Sequence, residues 1–182
     1  LRDGYAKAAY KNLTLNMLRY KRLRMYLHGD SDDPSVHDGD VRAFVRLGTD
    51  YTQNYYEYAL PLTLTKAGQS TQAEVWPDAN NIDVSFQDFI DAKSARNKQP
   101  NPNYVLPYTV TLPSGATITV VGTPELSDVQ GCMIGILNPT TADVGNKSVN
   151  LWADELRVFG FEKDAGYAAN ARLNVKLADL AI

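Results

Sequence analysis

The stretch that decides the fold extends from Val41 to Leu64 and reads VRAFVRLGTDYTQNYYEYALPLTL. In its first half, every second residue belongs to one apolar set, and the residues between them form a second set. The apolar set is Val41, Ala43, Val45 and Leu47, and the second set is Arg42, Phe44 and Arg46. A polar tip follows at Gly48 to Asn54. After it, every second residue is again a large apolar or aromatic one: Tyr56, Tyr58, Leu60, Leu62 and Leu64. Successive side chains of a strand leave opposite faces of the pleat, so alternation is typical of half-buried strands. The stretch therefore predicts a long antiparallel β-hairpin.

The overall composition is that of an ordinary globular domain. The chain has 182 residues, of which 44% are hydrophobic and 21% are charged, which is enough for one core. A formal net charge of -3 gives no strong field, so nucleic acid is not favoured as a partner. Tyrosine is abundant, with eleven residues against five Phe and two Trp. Its apolar ring and polar tip suit half-buried strand surfaces and binding faces.

The single cysteine, Cys132, excludes an internal disulfide. It stands in an apolar run at 132–137, where we expect it to be buried and to behave as a small hydrophobe. No apolar run approaches the roughly 20 residues of a membrane-spanning helix, and no signal peptide is recognisable. The chain begins at Leu1 without methionine, which suggests a piece of a longer protein.

The first 21 residues fit either a helical turn or an extended arm. Their apolar parity slips between Met17 and Leu18, which predicts a bulge or a break near Met17. Clean alternation resumes at Leu23, Met25 and Leu27, which predicts a strand.

The best predicted helix is Ser85 to Asn97. Ser85 is its expected N-cap, and Asp88 complements the dipole of its first turn. One short apolar stripe on this helix is expected to contain Phe86, Phe89, Ile90 and Lys93.

Further strands are predicted along the second half of the chain, at 105–112, 116–122, 132–137 and 150–161. Residues 126–131 are predicted as one helical turn, and Trp152, Leu156 and Val158 as one parity of the last strand. Several short strands with regular turn signals and one small helix indicate a mainly β protein. We therefore predict an antiparallel β-sandwich of jelly-roll type with one or two short helices, covering residues 1–165.

The tail, residues 166–182, is predicted as a separate C-terminal strand. Alternation is strict from Tyr167 to Leu177, and the apolar parity is Tyr167, Ala169, Ala171, Leu173, Val175 and Leu177. Ordinary strands average about five or six residues, whereas a transmembrane barrel strand needs about 9–11. A long sandwich strand gives the same pattern, so both interpretations stay open on pattern alone.

A loop from Gly29 to Asp40 is the candidate metal site. It contains five carboxylates, Asp30, Asp32, Asp33, Asp38 and Asp40. Oxygen-rich clusters of this kind hold Ca²⁺, although the spacing lacks the terminal Glu of a helix-loop-helix calcium site. The two open hypotheses are a structural calcium site and a solvated acidic loop.

No catalytic constellation is visible in the sequence. Two histidines and one cysteine do not make a zinc site of the usual kind. There is no G-x-S-x-G motif and no phosphate-binding glycine loop. Asp154 and Glu155 are adjacent on a predicted strand, so they face opposite sides and cannot flank one bond. We therefore expect no enzyme and no cofactor apart from the calcium considered above.

The hairpin tip is the candidate binding site. Tyr51, Tyr55 and Tyr56 would supply stacking rings, with Asp50, Gln53 and Asn54 as polar contacts. This pattern supports a carbohydrate-binding β-sandwich module. The alternative is that these tyrosines only pack the sheet.

Several blocks in order along the chain resemble the SprA/Sov family. They are RMYLH at 24–28, VRAFVRLGTDY at 41–51, NYYEY at 54–58, VWP at 75–77, SARN at 94–97, VGTP at 121–124, GILNP at 135–139, LWADELR at 151–157 and GYAANARLNVKLAD at 166–179. The family is the giant outer-membrane β-barrel translocon of the type IX secretion system in Bacteroidota, which is also tied to gliding motility. The resemblance implies export of folded cargo through a pore, with no chemistry and no bound nucleotide.

The resemblance also implies where the domain works and what it contacts. It would lie on the periplasmic or the cell-surface side of the outer membrane. Its partners would be other parts of the barrel protein, secretion-system subunits or cargo. Residues 166–182 would begin a barrel strand in the full-length parent. In the 182-residue chain we expect this segment to pair with another edge, either in the same domain or in a strand-swapped homodimer.

Overall fold

The computed structural model describes residues 1–140 and 145–161. Nine strands are found there: β1 Ala6–Leu15, β2 Arg22–Asp30, β3 Arg42–Gly48, β4 Tyr55–Pro61, β5 Ile82–Ser85, β6 Tyr108–Thr111, β7 Thr117–Val121, β8 Val129–Leu137 and β9 Asn150–Phe159. They form two antiparallel sheets, a large sheet in the order β1-β8-β3-β4-β7-β6 and a small sheet in the order β5-β2-β9. Apart from a 3₁₀ turn at Asp78–Asn80, the helices of the described residues are α1 Gln72–Val75 and α2 Phe86–Asn97. The predicted antiparallel β-sandwich with short helices is confirmed, whereas its jelly-roll connectivity stays a prediction.

The predicted hairpin is confirmed and lies at the centre of the large sheet. Strands β3 and β4 pair in register from Arg42 opposite Pro61 to Gly48 opposite Tyr55. The predicted inner parity of β3 is at most 1% exposed throughout. The alternation therefore placed the correct face against the core.

The core fills the space between the two sheets. From the small sheet, Leu23, Met25 and Leu27 of β2 are almost completely buried, which confirms the alternation predicted for this strand. Tyr26 lies between them in sequence, and its side chain is 46% exposed on the outer face. Opposite these residues, the inner parities of β3, β4, β7 and β8 complete one apolar cluster.

Helix α2 begins as predicted and packs against strands β7 and β6. Ser85 Oγ accepts from the Gln87 amide at 3.1 Å, and Asp88 Oδ2 accepts from the Ser85 amide at 3.3 Å. Phe89 is fully buried and contacts the Tyr56 ring, with a centroid distance of 5.4 Å. The predicted apolar stripe is narrower than expected, because Ile90 is 38% exposed.

The N-terminal segment, for which a helical turn and an extended arm were both open, forms the edge strand β1. It pairs with β8, with a register shift between Asn12 and Leu15, and Met17 lies in the connection that follows. The break predicted near Met17 is therefore confirmed. The helical turn predicted at 126–131 is wrong, because pairing with β1 and β3 draws Val129 and Gly131 into strand β8.

Strand β9 is confirmed, but its predicted parity is wrong. Arg24 of β2 lies opposite Arg157, and Tyr26 lies opposite Asp154. Two residues of β9 therefore face one of β2, and Glu155 has a positive φ of 55°. This bulge reverses the parity, so Trp152 lies on the outer face and Val158 on the inner face. The predicted C-terminal strand at 166–182 lies outside the described residues.

Candidate functional site

The hairpin tip is held by the side chain of Asp50. Its Oδ1 accepts hydrogen bonds from the backbone amides of Thr52, Gln53 and Asn54 at 2.8, 2.5 and 3.0 Å. Its Oδ2 accepts from the Asn54 side chain at 3.0 Å. Burial acts to raise the pKa of Asp50, but these hydrogen bonds outweigh it and lower the pKa to about 2. Asp50 is therefore the internal cap of the tip, and both of its carboxylate oxygens already accept hydrogen bonds from within the tip.

A half-buried arginine joins the tip to the two strands. Arg46 donates from Nε and Nη2 to Glu57 Oε2 at 2.9 and 2.6 Å, and from Nη1 to the Tyr51 carbonyl. Its guanidinium also stacks on the Tyr55 ring, 3.8 Å from the centroid. Charge-assisted bonds of this kind are the strong ones, so the arrangement fixes the tip relative to the sheet.

The three predicted stacking rings lie in three different environments. Tyr56 is 3% exposed and donates its hydroxyl to the Pro124 carbonyl within the core. Tyr55 is covered by Arg46, and its exposed fraction is only 8%. Tyr51 lies along the outer face of the large sheet, where it contacts Tyr10 at 5.3 Å between centroids. The structure therefore does not bring these rings together as one stacking surface.

The polar members of the predicted tip site also have internal roles. Asn54 Oδ1 accepts from the Thr123 amide at 3.0 Å, which ties the tip to the loop after β7. Gln53 is the predicted contact residue whose side chain is exposed at the tip. The tip is best described as a rigid turn.

The five acidic residues of the predicted calcium loop do not converge on one point. Asp33 accepts from Ser35, Asp38 from the Leu64 amide, and Asp40 from Lys147 at 2.9 Å. Asp30 accepts from the side chain of Asn150 at 2.8 Å. Among the residues that the structure describes, no group of three His, Cys, Asp or Glu side chains has the geometry of a metal site. These contacts hold the loop against its neighbours, and calcium stays a prediction.

An aromatic row that the sequence did not reveal crosses the outer face of the small sheet. His28 of β2 lies between Trp76 and Trp152, with centroid distances of 5.7 and 4.9 Å. Its Nδ1 lies 2.7 Å from the Val75 carbonyl. Trp152 is 49% exposed, and the neighbouring Tyr26 is 46% exposed. We call Trp76, His28, Trp152 and Tyr26 the aromatic row.

Charges of both signs surround the aromatic row. Asp83 pairs with Arg22 at 2.6 Å and with Arg24 at 3.2 Å, while Arg157 pairs with Glu155 at 2.7 Å. The pairing of β2 with β9 joins residues at least 120 positions apart, so no local pattern in the sequence signals this face. The resulting surface is aromatic at its centre and nearly neutral at its border, which suits contact with protein or with a neutral hydroxyl-rich ligand.

The predicted burial of the cysteine is confirmed. Cys132 is 5% exposed, and burial raises the pKa of its thiol to about 11. It is therefore a neutral thiol near pH 7, without the thiolate character of a nucleophile.

No helix within residues 1–140 and 145–161 has the length and apolar character needed to cross a membrane.

Comparison with known proteins gives one family for the chain. No curated protein matches the sequence. The model of the SprA_N family, described as motility related/secretion protein, matches residues 1–182. The chain therefore belongs to the SprA_N family of motility-related and secretion proteins.

Proposed function

We propose that the chain is a non-enzymatic structural and interaction domain of a giant outer-membrane β-barrel that exports folded proteins in type IX secretion. The observation that carries this proposal is the match of a motility and secretion family over the whole chain. The blocks that resemble the SprA/Sov translocon add the finer statement. In this proposal the domain belongs to a Bacteroidota outer membrane, on the periplasmic or cell-surface side, and serves gliding motility as well as export.

The aromatic row is the surface through which such a domain would contact its partners. Exposed tryptophan and tyrosine on a rigid support are typical of the residues that dominate protein interfaces. Here the support is a sheet whose other face is buried, and the His28 ring contacts both Trp rings. Other parts of the barrel protein, secretion-system subunits and cargo are the proposed partners.

Site-specific photocrosslinking in living cells tests this proposal. A photoreactive residue replaces Tyr26 in one strain and Val105 in a control strain, since Val105 is 82% exposed and lies in the connection between α2 and β6. We expect position 26 to crosslink to the barrel, to another secretion subunit or to cargo, and position 105 to do so weakly. Equal crosslinking at both positions, or none at position 26, would contradict the aromatic row as the contact surface.

The second candidate function is carbohydrate binding, and the aromatic row favours it more than the hairpin tip does. Trp152 and Tyr26 offer exposed rings, and Asp154 and Asn150 stand beside them on β9. A glycan array separates the surfaces: loss of binding in Trp152→Ala assigns the row, and loss in Tyr51→Ala assigns the tip. Absence of binding to any glycan removes this candidate.

Calcium is tested separately. The melting temperature is measured with millimolar calcium and with chelator. A higher midpoint in calcium that is lost in Asp40→Asn would support a structural ion, and an unchanged midpoint would remove the hypothesis.

A further inference from the structure

A cavity of about 530 Å³ lies where β4 meets β5 and the start of α2. Part of its wall is apolar and includes Leu60, Val84 and Ala116, which are at most 3% exposed. The ring of Tyr58 also lines the cavity and is 6% exposed. Ligand sites in proteins typically have volumes of about 300–1,000 Å³, so this space suffices for a bound side chain with its neighbouring backbone.

The charged side chains that line this cavity are all acidic. They come from the loop before β3, the 3₁₀ turn, β5 and the first turn of α2, and they are Asp38, Asp78, Asp83 and Asp88. The lining contains no Lys, Arg or His. Asp83 is balanced by Arg22 and Arg24, which do not line the cavity. The other three carboxylates have no ion pair among the described residues, so the cavity has a negative potential.

A buried acceptor in the same lining has no donor. Asn81 donates from Nδ2 to Asp78 Oδ1 at 3.1 Å, and this bond sets the orientation of the amide. The Oδ1 of Asn81 is buried and has no hydrogen-bond partner among the described residues. Because buried polar groups in proteins are nearly always paired, this oxygen marks a position where a ligand donor would bind.

The hydroxyl of Tyr58 reports the same negative potential. Burial raises the pKa of this hydroxyl, and the charges of Asp83 and Asp88 raise it further. The charge of Arg42 and a hydrogen bond with Ser114 act in the opposite direction. Carboxylates from two different elements therefore act on one point of the cavity wall.

The positions of the carboxylates favour an organic cation over a metal ion. Within residues 1–140 and 145–161, no three His, Cys, Asp or Glu side chains form a group that could hold a metal ion. A guanidinium carries five N–H donors in a planar fork, so it can bond to separate acceptors at once. Its aliphatic stem packs on apolar surface while the charged head stays with polar groups. An arginine side chain therefore matches both parts of this lining.

We propose that this cavity binds an arginine side chain of a partner protein, with the guanidinium on the carboxylates and the Asn81 oxygen and the stem on the apolar wall. The arginine belongs to a segment of the barrel protein, of a secretion subunit or of cargo, and in this respect the inference rests on the proposed function. The preference of the cavity for arginine follows from its lining alone and does not involve the aromatic row.

Titration of the full 182-residue chain with two blocked tripeptides tests the inference. Both have the form acetyl-Ala-X-Ala-amide, with arginine at X in one and citrulline in the other, because citrulline keeps the shape of arginine and is neutral. Two-dimensional NMR at low ionic strength measures both affinities, and the amide signals that shift locate the site.

We expect the arginine peptide to bind at least about fivefold more tightly than the citrulline peptide, since charge-assisted hydrogen bonds are the stronger ones. The shifted amides should include those of Asn81 and Asp88. Equal affinities of the two peptides, no binding of either, or shifts confined to other surfaces would each overturn the inference.

Matched variants separate the cavity from general charge attraction. Asp78→Asn with Asp88→Asn removes two charges and keeps the oxygens that accept from Asn81 and from the Ser85 amide. This variant should bind the arginine peptide no more tightly than the citrulline peptide. The control is Asp91→Asn on the same helix, whose side chain does not line the cavity, and it should leave binding unchanged. Equal weakening in the variant and the control would contradict the cavity as the site.

Asn81→Ala provides a second variant that changes no charge. It should weaken binding of the arginine peptide about threefold, because the guanidinium loses a neutral acceptor. Unchanged affinity would contradict the role of the buried oxygen, and circular dichroism melting shows that each variant is folded. These titrations and the crosslinking at position 26 have independent outcomes, so failure of this inference is distinguishable from failure of the proposed function.

Discussion

At the scale of single residues, Arg46 of β3 joins the hairpin tip to the paired strand β4. It binds Glu57 on the paired strand and Tyr51 in the tip, and it covers Tyr55. The side chains of Arg46 and Glu57 are only 21% and 13% exposed. Removing one partner therefore leaves the other charge in a site with limited access to water.

We predict that Arg46→Met lowers the free energy of unfolding by about 3 kcal/mol, because it leaves the Glu57 carboxylate half-buried without its cation. Urea denaturation measures the change. The matched control is Arg157→Met, whose pair with Glu155 has side chains 56% and 41% exposed and should change stability by less than about 1 kcal/mol. Equal effects of the two substitutions would contradict the structural role of Arg46.

The lowered pKa of Asp50 predicts that the stability of the domain depends on pH in the acidic range. Its pKa is lowered from 3.8 to about 2, so its contribution to stability is complete above pH 4 and is lost as the pH falls toward 2. We predict that Asp50→Ala destabilises the domain by about 1–2 kcal/mol at pH 7, through the loss of the tip hydrogen bonds.

The difference between Asp50→Ala and the unmodified protein should shrink between pH 4 and pH 2. Urea denaturation at pH 7, 4 and 2.5 follows it. The control is Asp128→Ala, a loop carboxylate with one hydrogen bond to Gln130, which should show little difference at any pH. A constant difference for Asp50→Ala down to pH 2.5 would show that its carboxylate charge is not what holds the tip.

At the scale of elements, glycines on β8 leave space for aromatic rings on the outer face of the large sheet. A Cβ at Gly131 would overlap with the Tyr51 ring, and a Cβ at Gly135 would overlap with the Phe44 ring and the Lys7 carbonyl. The two glycines are four residues apart, so both face the same side of the strand. They are therefore the positions where β8 accommodates the hairpin.

This contact predicts a coupling between β8 and the tip. Gly131→Ala should cost about 1–3 kcal/mol because the added methyl overpacks the Tyr51 ring. Combined with Tyr51→Ala, it should cost less than the sum of the two single changes, since the overlap involves only that ring. Gly145→Ala, with no atom within 4 Å of its Cβ, is the control and should be nearly neutral. Strict additivity in the cycle would contradict the contact.

Alternation in the sequence predicts the individual strands well and their neighbours poorly. It placed Val41 to Leu64 and Leu23 to Leu27 correctly, because period two is a local property. In the last strand the bulge at Glu155 reversed the predicted parity. It did not place β1 beside β8, a pairing that joins residues more than 110 positions apart. For the same reason the helical turn at 126–131 was wrong, since two distant strands impose the extended backbone there.

Only part of the candidate site could be predicted from the sequence, because the contacts of its side chains depend on segments that are distant in the chain. Tyr55 and Tyr56 stand next to an exposed tip in the sequence, but Arg46 covers one ring and the core encloses the other. Neither the cover nor the core is visible before the sheets are assembled. The aromatic row was missed because Trp76, His28 and Trp152 belong to three distant segments.

At the scale of the whole molecule, the C-terminal strand predicted at 166–182 leads to two alternative oligomeric states. If it pairs with an edge of its own domain, the protein should be a monomer. Small-angle scattering of the full chain and of a version ending at Asp164 should then give monomeric masses for both across a range of concentrations. A dimer of the full chain alone would show that the strand is exchanged between copies.

In the proposed function, the domain serves protein export through contacts and without chemistry. The most direct measurement is the amount of cargo released into the medium by cells whose parent protein has Tyr26→Ser with Trp152→Ser, compared with Tyr5→Ser with Val105→Ser, which are also exposed. We predict at least a fivefold loss of release in the first strain, with unchanged amounts of the parent protein in the outer membrane, and normal release in the second. Normal release in both strains would contradict a role of the aromatic row in export.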